Sequence, residues 1–110
     1  MHTLYMNKAS SPSQHFDKIS ELLTSIKIKT NAQTDVIWSR YETPQELIDD
    51  LDAKIVKLRA SNYDVLGDLY MLFAPTGSFQ EISLSNGWSE EFLELAESFE
   101  LLYKNLKNIQ

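Results

Sequence analysis

The chain has 110 residues, of which 43% are hydrophobic and 24% are charged, and its net charge is −6. This length and balance predict one globular domain that folds alone, and they exclude a disordered or a membrane-embedded chain. The absence of cysteine excludes disulfide bonds, thiolate zinc sites and cysteine nucleophiles, and it fits a reducing, cytoplasmic compartment. The acidic excess argues against binding to nucleic-acid phosphates and favours a basic partner.

The shortage of turn-forming residues indicates the fold class. Only three glycines and three prolines occur, which disfavours a sandwich or barrel and favours long helices joined by few connections. We therefore expect an all-α fold, a compact bundle of about four to five helices with at most one short extended segment. Residues 1–10 show no hydrophobic period and are expected to form a flexible N-terminal segment, followed by a single helical domain over residues 11–110.

The first helix is predicted to begin at Ser11, because Pro12 suits the first helical position and Gln14 can close a capping box with Ser11. Apolar residues then recur at helical spacing until about Lys29. The apolar run within residues 34–41 is too short for its period to separate a helical turn from a strand. We favour a short helix there.

Two further helices are predicted in the middle of the chain. Thr43 and Glu46 form a second capping box, and an apolar stripe follows it. A third start signal at residues 61–64 opens a helix with a broad apolar arc, which is expected to be central and to end at a turn over residues 74–77. In that turn, Gly77 is expected to take a positive φ.

The last part of the chain is predicted to contain a short helix and a long one. Residues 78–81 form a fourth capping box, but residues 82–86 alternate apolar and polar side chains, so extended chain is expected before Gly87. The long helix is predicted to begin at Ser89 and to run nearly to the last residue. Its apolar face consists of Phe92, Leu95, Ala96, Phe99, Leu102, Tyr103 and Leu106.

The opposite face of the long helix carries Glu90, Glu94 and Glu97, and no basic residue occurs within residues 89–103 to neutralise them. The plainest interpretation is a solvated face, because acids near a helix N terminus interact favourably with the helix dipole. The functional alternative is a docking surface for a basic protein. Trp88, directly before the helix, is expected in the core or at its rim, as is usual for such a large apolar side chain, and the alternative is an interface anchor.

No residue pattern in the sequence assigns catalysis. The chain has two histidines, His2 and His15, and general base catalysis needs a positioned partner that the sequence does not supply to either. Catalytic, cofactor-binding and metal-binding residues are therefore left unassigned, and no cofactor is expected.

Residues 64–68, Asp-Val-Leu-Gly-Asp, resemble the acidic Glu-Leu-Gly-Asp segment of all-α nucleotide pyrophosphatases of the MazG type. The resemblance implies a magnesium-dependent hydrolase in which Asp64 and Asp68 would be candidate metal ligands. Val65 stands where that family has a glutamate. The candidate upstream pair is Glu46 and Asp49, of which Glu46 is already explained by its capping box. Two carboxylates four residues apart are also typical of a solvated helix face.

Two other likenesses are partial. Residues 63–70 resemble the first helix of a tetratricopeptide repeat, but no second copy follows at that period. Residues 72–82 resemble small uncharacterised bacterial helical proteins with a Phe-Gly-x-x-Gly-Ser-Phe-x-Asp turn motif, with Ala74 in place of the first glycine. This second likeness implies a bacterial origin and carries no activity.

The sequence therefore predicts a small acidic cytoplasmic protein-interaction module, and an immunity or antitoxin-like neutraliser of a basic partner is one form of it. An enzyme is less favoured. The alternatives are a metal-dependent nucleotide pyrophosphohydrolase and a structural homodimer. Neither nucleic acid nor a membrane is expected as a partner.

Overall fold

The computed structural model describes residues 11–109, so the expected flexible segment at residues 1–10 lies outside the described residues. The predicted all-α bundle is confirmed, since residues 11–109 form five α-helices and contain no strand. A short 3-10 helix, Tyr63–Val65, leads into the third α-helix. None of the described helices combines the length and the apolar character that crossing a bilayer requires. The α-helices are α1 (Pro12–Ile28), α2 (Pro44–Arg59), α3 (Leu66–Phe73), α4 (Ser78–Asn86) and α5 (Ser89–Ile109).

Helix α5 makes its main contacts with three of the four other α-helices. α1 and α2 pack against each other, α3 packs against α4, and α1, α3 and α4 all contact α5. Phe92, Phe99 and Leu106 of α5 are buried, and successive members of this set are nearly two turns apart, which brings them onto one line. From α3, Phe73 stacks on Phe99 with ring centroids 4.5 Å apart and meets Phe79 of α4 edge-to-face at 5.0 Å. One aromatic cluster therefore joins α3, α4 and α5.

The predicted starts of α1 and α2 are confirmed, but only α2 has a side-chain cap. Thr43 Oγ1 accepts a hydrogen bond from the Glu46 N–H at 3.1 Å, and the Glu46 carboxylate accepts one from the Glu42 N–H at 2.9 Å. The Ser11 hydroxyl pairs instead with the Ser13 hydroxyl at 3.0 Å, so the predicted capping box of α1 is wrong. The proline at the first position is the start signal that α1 retains.

Residues 31–41 form turns rather than the short helix that their apolar run favours. Val36 and Tyr41 are buried and fasten the segment to the core at two points. Between them, Ile37 and Trp38 project into solvent with exposed fractions of 71% and 72%. The apolar residues of this run therefore do not share one face.

Hydrogen bonds to α4 hold this segment and explain why it is not helical. The Asp35 N–H and carbonyl bond to the side-chain amide of Asn86 at 2.9 and 2.8 Å, and the Arg40 N–H donates to Ser78 Oγ at 2.9 Å. The predicted capping box at residues 78–81 is wrong, because Ser78 lies inside α4 and its hydroxyl oxygen accepts the hydrogen bond of the Arg40 N–H. These bonds join residues 51 and 38 positions apart, a distance at which no local pattern is informative.

Helix α4 continues to Asn86, so the predicted extended chain at residues 82–86 is wrong. The apolar and polar alternation is misleading here because Ser83 is itself buried, with its hydroxyl donating to the Gln80 carbonyl at 2.7 Å. The helix ends at Gly87, whose φ of 85° lies in the left-handed region that glycine adopts without steric cost.

The predicted turn at residues 74–77 is confirmed, but its positive φ belongs to Thr76, at 64°, and not to Gly77, at −76°. Glycine is required at position 77 because there is no room for a side chain. A Cβ at this position would lie within 3.0 Å of three backbone carbonyl oxygens of residues 71–74. A Cβ at Gly67 would meet no atom within 4 Å, so the two glycines are under different constraints.

We expect Gly77→Ala to destabilise the domain by more than about 1 kcal/mol, because backbone atoms rather than a flexible side chain must move. Gly67→Ala in α3 is the control. It should be neutral or stabilise by up to about 1 kcal/mol, because alanine favours helix and nothing obstructs its methyl group. The measurement is the free energy of unfolding from urea titration, and equal effects of the two substitutions would contradict the requirement for space at Gly77.

We expect Phe99→Ala to lower the free energy of unfolding by about 3 to 5 kcal/mol, because truncation leaves a cavity beside Phe73. Leu101→Ala, on the same helix at a 62% exposed position, should change it by less than about 0.5 kcal/mol. Equilibrium denaturation measures both variants. A loss below about 1 kcal/mol for Phe99→Ala would mean that this face is not core.

Candidate functional site

The solvent-facing side of α5 carries three exposed glutamates, Glu90, Glu94 and Glu97, which we call the acidic face. None of the three forms an ion pair with another residue of the described range 11–109. Their neighbours differ: Glu91 binds the Lys29 ammonium at 2.7 Å, and Glu100 is 3.4 Å from Lys104, one turn further on. The uncompensated charge on this part of α5 is therefore confined to the acidic face.

Two leucines that the sequence analysis did not single out lie on the same side of α5. Leu93 and Leu101 have exposed fractions of 59% and 62%. At 100° per residue, Leu101 lies within about 20° of Glu90 around the helix axis, so a helical wheel was the signal that could have found it. Apolar and acidic side chains therefore alternate on the solvent side of α5.

An open groove of about 370 Å³ borders the acidic face, between α5, the end of α3 and the turn into α4. We call it the aromatic groove, because three buried phenylalanines contribute to its lining and Tyr70, half exposed, stands at its side. The small Ala96 also lines it. Glu97 lines it too, so the groove and the acidic face share a residue. The buried lining residues are Phe73, Phe92 and Phe99.

Trp88 does not share this exposed surface. Its side chain belongs to the core and is only 8% exposed. The Lys29 ammonium lies 5.7 Å from the centroid of its ring. The indole N–H has no hydrogen-bond acceptor among residues 11–109. The structure thus separates Trp88 from the three glutamates with which the sequence analysis grouped it.

A polar network lies where residues 40–41 meet α2 and α3. The Lys54 ammonium contacts Asp50 at 2.6 Å and Asp68 at 2.9 Å, and the Arg40 guanidinium also contacts Asp68 at 2.9 Å. The Tyr41 hydroxyl donates to Asp50 at 2.6 Å. Two cations and two carboxylates thus balance one another, in a cluster where the Lys54 side chain is 10% exposed.

Two groups of this network have shifted pKa values. Burial raises the pKa of Tyr41 well above its ordinary value, and the hydrogen bond to Asp50 raises it further. Partial burial acts to raise the pKa of Asp68, but the hydrogen bonds and charges of Lys54 and Arg40 outweigh that effect, so the pKa of Asp68 is lowered. At neutral pH, Tyr41 is therefore protonated and Asp68 ionised in the folded chain.

Asp64 and Asp68, the candidate metal ligands, have different surroundings. Asp64 lies exposed in the 3-10 helix, where its backbone N–H donates to the Asn62 side chain at 2.8 Å. Asp68 is held by the two cations of the polar network. Within residues 11–109, no three histidine, aspartate or glutamate side chains come together as a metal site. His15 Nδ1 is 3.0 Å from the Ser11 carbonyl oxygen, a contact at the start of α1, and His2 lies outside the described residues.

No family model, curated protein or solved structure matches this chain. Within the described residues, the acidic face and the aromatic groove are adjacent on α5, and Glu97 belongs to both. The polar network, by contrast, is an ion-pair cluster that joins neighbouring elements of the fold.

We expect Asp68→Asn to reduce stability at pH 7 and to reduce it less in acid. The pKa of Asp68 is lowered by folding, so its ion pairs stabilise fully above the unfolded carboxyl pKa of about 4, and this contribution is lost as pH falls through the lower folded pKa. Asp64→Asn, at an exposed neighbour, is the control and should change stability by less than about 0.5 kcal/mol at pH 7. Urea titrations at several pH values measure both variants, and a deficit for Asp68→Asn that grows in acid would contradict the expectation.

Proposed function

We propose that this chain is a protein-interaction module whose acidic face binds a basic surface of a partner protein. The observation that carries the proposal is the set of three exposed carboxylates without an ion pair in the described part of the chain. On the same helix, Glu91 and Glu100 have cations beside them, Lys29 at 2.7 Å and Lys104 at 3.4 Å. The acidic face is thus the part of α5 where a cation of a partner protein gains the most favourable electrostatic interaction.

The electrostatics of α5 favour such a partner. Like charges one turn apart on a helix destabilise it by roughly 0.2 to 0.5 kcal/mol per pair, and Glu90 and Glu94 stand in this relation, as do Glu94 and Glu97. The helix dipole offsets the repulsion only within the first turn, so it helps Glu90 more than Glu97. A basic partner relieves this repulsion, and its approach is accelerated by the net charge of −6.

The same charges bear on the other candidate functions. A homodimer formed through the acidic face would place like carboxylates against each other, which opposes that arrangement. The hydrolase alternative requires Asp68 as a metal ligand, but Arg40 and Lys54 already compensate its charge. An immunity or antitoxin-like neutraliser of a basic protein is the role we favour, with the cytoplasm as its place of action.

The proposal predicts that Glu90→Lys, Glu94→Lys and Glu97→Lys together abolish binding of the basic partner. Each substitution adds two charges, so the net charge of −6 becomes zero. The matched control is the triple lysine variant at exposed Asp17, Glu21 and Asp64, which has the same net charge. Partners are captured from a lysate of the native host, identified by mass spectrometry and titrated against each purified variant.

Native protein and control should bind the same basic partner, with an affinity that falls from about 0.1 M to 1 M salt as the Debye length shrinks from about 10 to 3 Å. The variant of the acidic face should not bind it. Equal affinity and equal salt dependence for both triple variants would show that the partner binds elsewhere.

A further inference from the structure

We infer that the partner presents a basic amphipathic helix, which lies along α5 and inserts one large apolar side chain into the aromatic groove. This inference rests on the proposed function and adds to it the shape and the apolar chemistry of the partner segment. Charge complementarity to the acidic face indicates that the partner helix is basic. The apolar lining of the groove indicates that the helix also carries an apolar anchor residue.

The groove and the acidic face form one surface. Leu93 lines the groove and lies one turn before Glu97, which also lines it. Glu100 lines the groove one turn further on and is 3.4 Å from the Lys104 ammonium. A partner segment that crosses the groove therefore meets carboxylates at the edge of the groove.

The groove is preformed. Phe73 stacks on Phe99 at 4.5 Å and on Phe92 at 6.3 Å, so buried aromatic packing holds its lining in place. Ala96 has the smallest side chain among the α5 residues that line the groove, and it leaves the space open. The volume of about 370 Å³ lies within the range of about 300 to 1,000 Å³ that is usual for binding pockets. An apolar side chain gains the most binding free energy in such a site, because the side chains that line it need little further ordering.

The spacing of the acidic face favours a helical partner segment. Glu90, Glu94 and Glu97 repeat once per turn and extend along about 10 Å of the helix axis. A partner helix that runs beside α5 repeats its own basic residues at the same interval, with an apolar residue on the adjoining stripe. Same-side residues of an extended segment are about 6.6 Å apart and go out of register with the glutamates.

The test uses two synthetic peptides of equal composition. One is a helix with leucines on one face and lysines on the other, and in its isomer the same residues are shuffled so that the leucines share no face. Affinities for native chain and variants are measured by titration calorimetry. We expect the native chain to bind the amphipathic peptide at least about tenfold more tightly than the isomer, which is the effect of burying one large apolar side chain.

Ala96→Leu fills the groove, and we expect it to abolish the preference for the amphipathic peptide while leaving the salt-dependent binding of both peptides. Ala53→Leu, at an exposed position of α2, is the control and should keep the preference. Leu93→Ser removes an exposed side chain from the groove without adding volume, so it gives the same test if Ala96→Leu does not fold.

The outcomes separate the inference from the proposed function. If Ala96→Leu and Leu93→Ser both keep the native preference, and the triple lysine variant of the acidic face loses both peptides, the groove inference is overturned and the proposed function stands. If that triple variant binds both peptides as the native chain does, both fail. If the native chain self-associates and Ala96→Leu abolishes this, the occupant of the groove is a second copy of the chain. If Ala96→Leu alters the NMR resonances of residues 4–6 without peptide, the occupant is the chain's own N-terminal segment. Either result would overturn the inference.

Discussion

The packing of α5 against helices on two of its sides constrains the rest of the described structure. Phe92 and Phe99 of α5 are buried with Phe73 of α3, and α1 packs on α5 as well. The side of α5 that faces away from these helices is exposed to solvent, and it holds Leu93 and Leu101 together with the acidic face. The apolar packing that builds the core therefore also decides which side chains can meet another molecule.

Local patterns were sufficient to predict most of the helices. The capping pair Thr43 and Glu46 and the long apolar period of α5 each depend on residues within one or two turns, and the structure shows both. The patterns were insufficient where distant residues decide the conformation. Residues 31–41 take their shape from hydrogen bonds to α4, and residues 82–86 remain helical although their polarity alternates.

The candidate site was predictable only in part, for a related reason. The exposure of Glu90, Glu94 and Glu97 follows from helical geometry and agrees with the structure. The aromatic groove depends on how α3 and the turn after it are placed against α5, which no single segment encodes. The burial of Trp88 could not be decided between core and interface from the sequence, because its position next to Gly87 says nothing of the core residues around it. Single helices were thus easier to predict than the surfaces that several of them form.

The placement of the two tryptophans gives the chain an optical property of its own. Trp88 is buried beside Lys29, whereas Trp38 projects from the segment between the first two helices and is 72% exposed. Loss of the folded core transfers the indole of Trp88 from a dry environment to water, but it changes the surroundings of Trp38 far less. A change in fluorescence wavelength on denaturation thus reports chiefly on Trp88. Iodide in the solvent, by contrast, quenches the Trp38 emission first, so native protein can be followed at both positions without an attached dye.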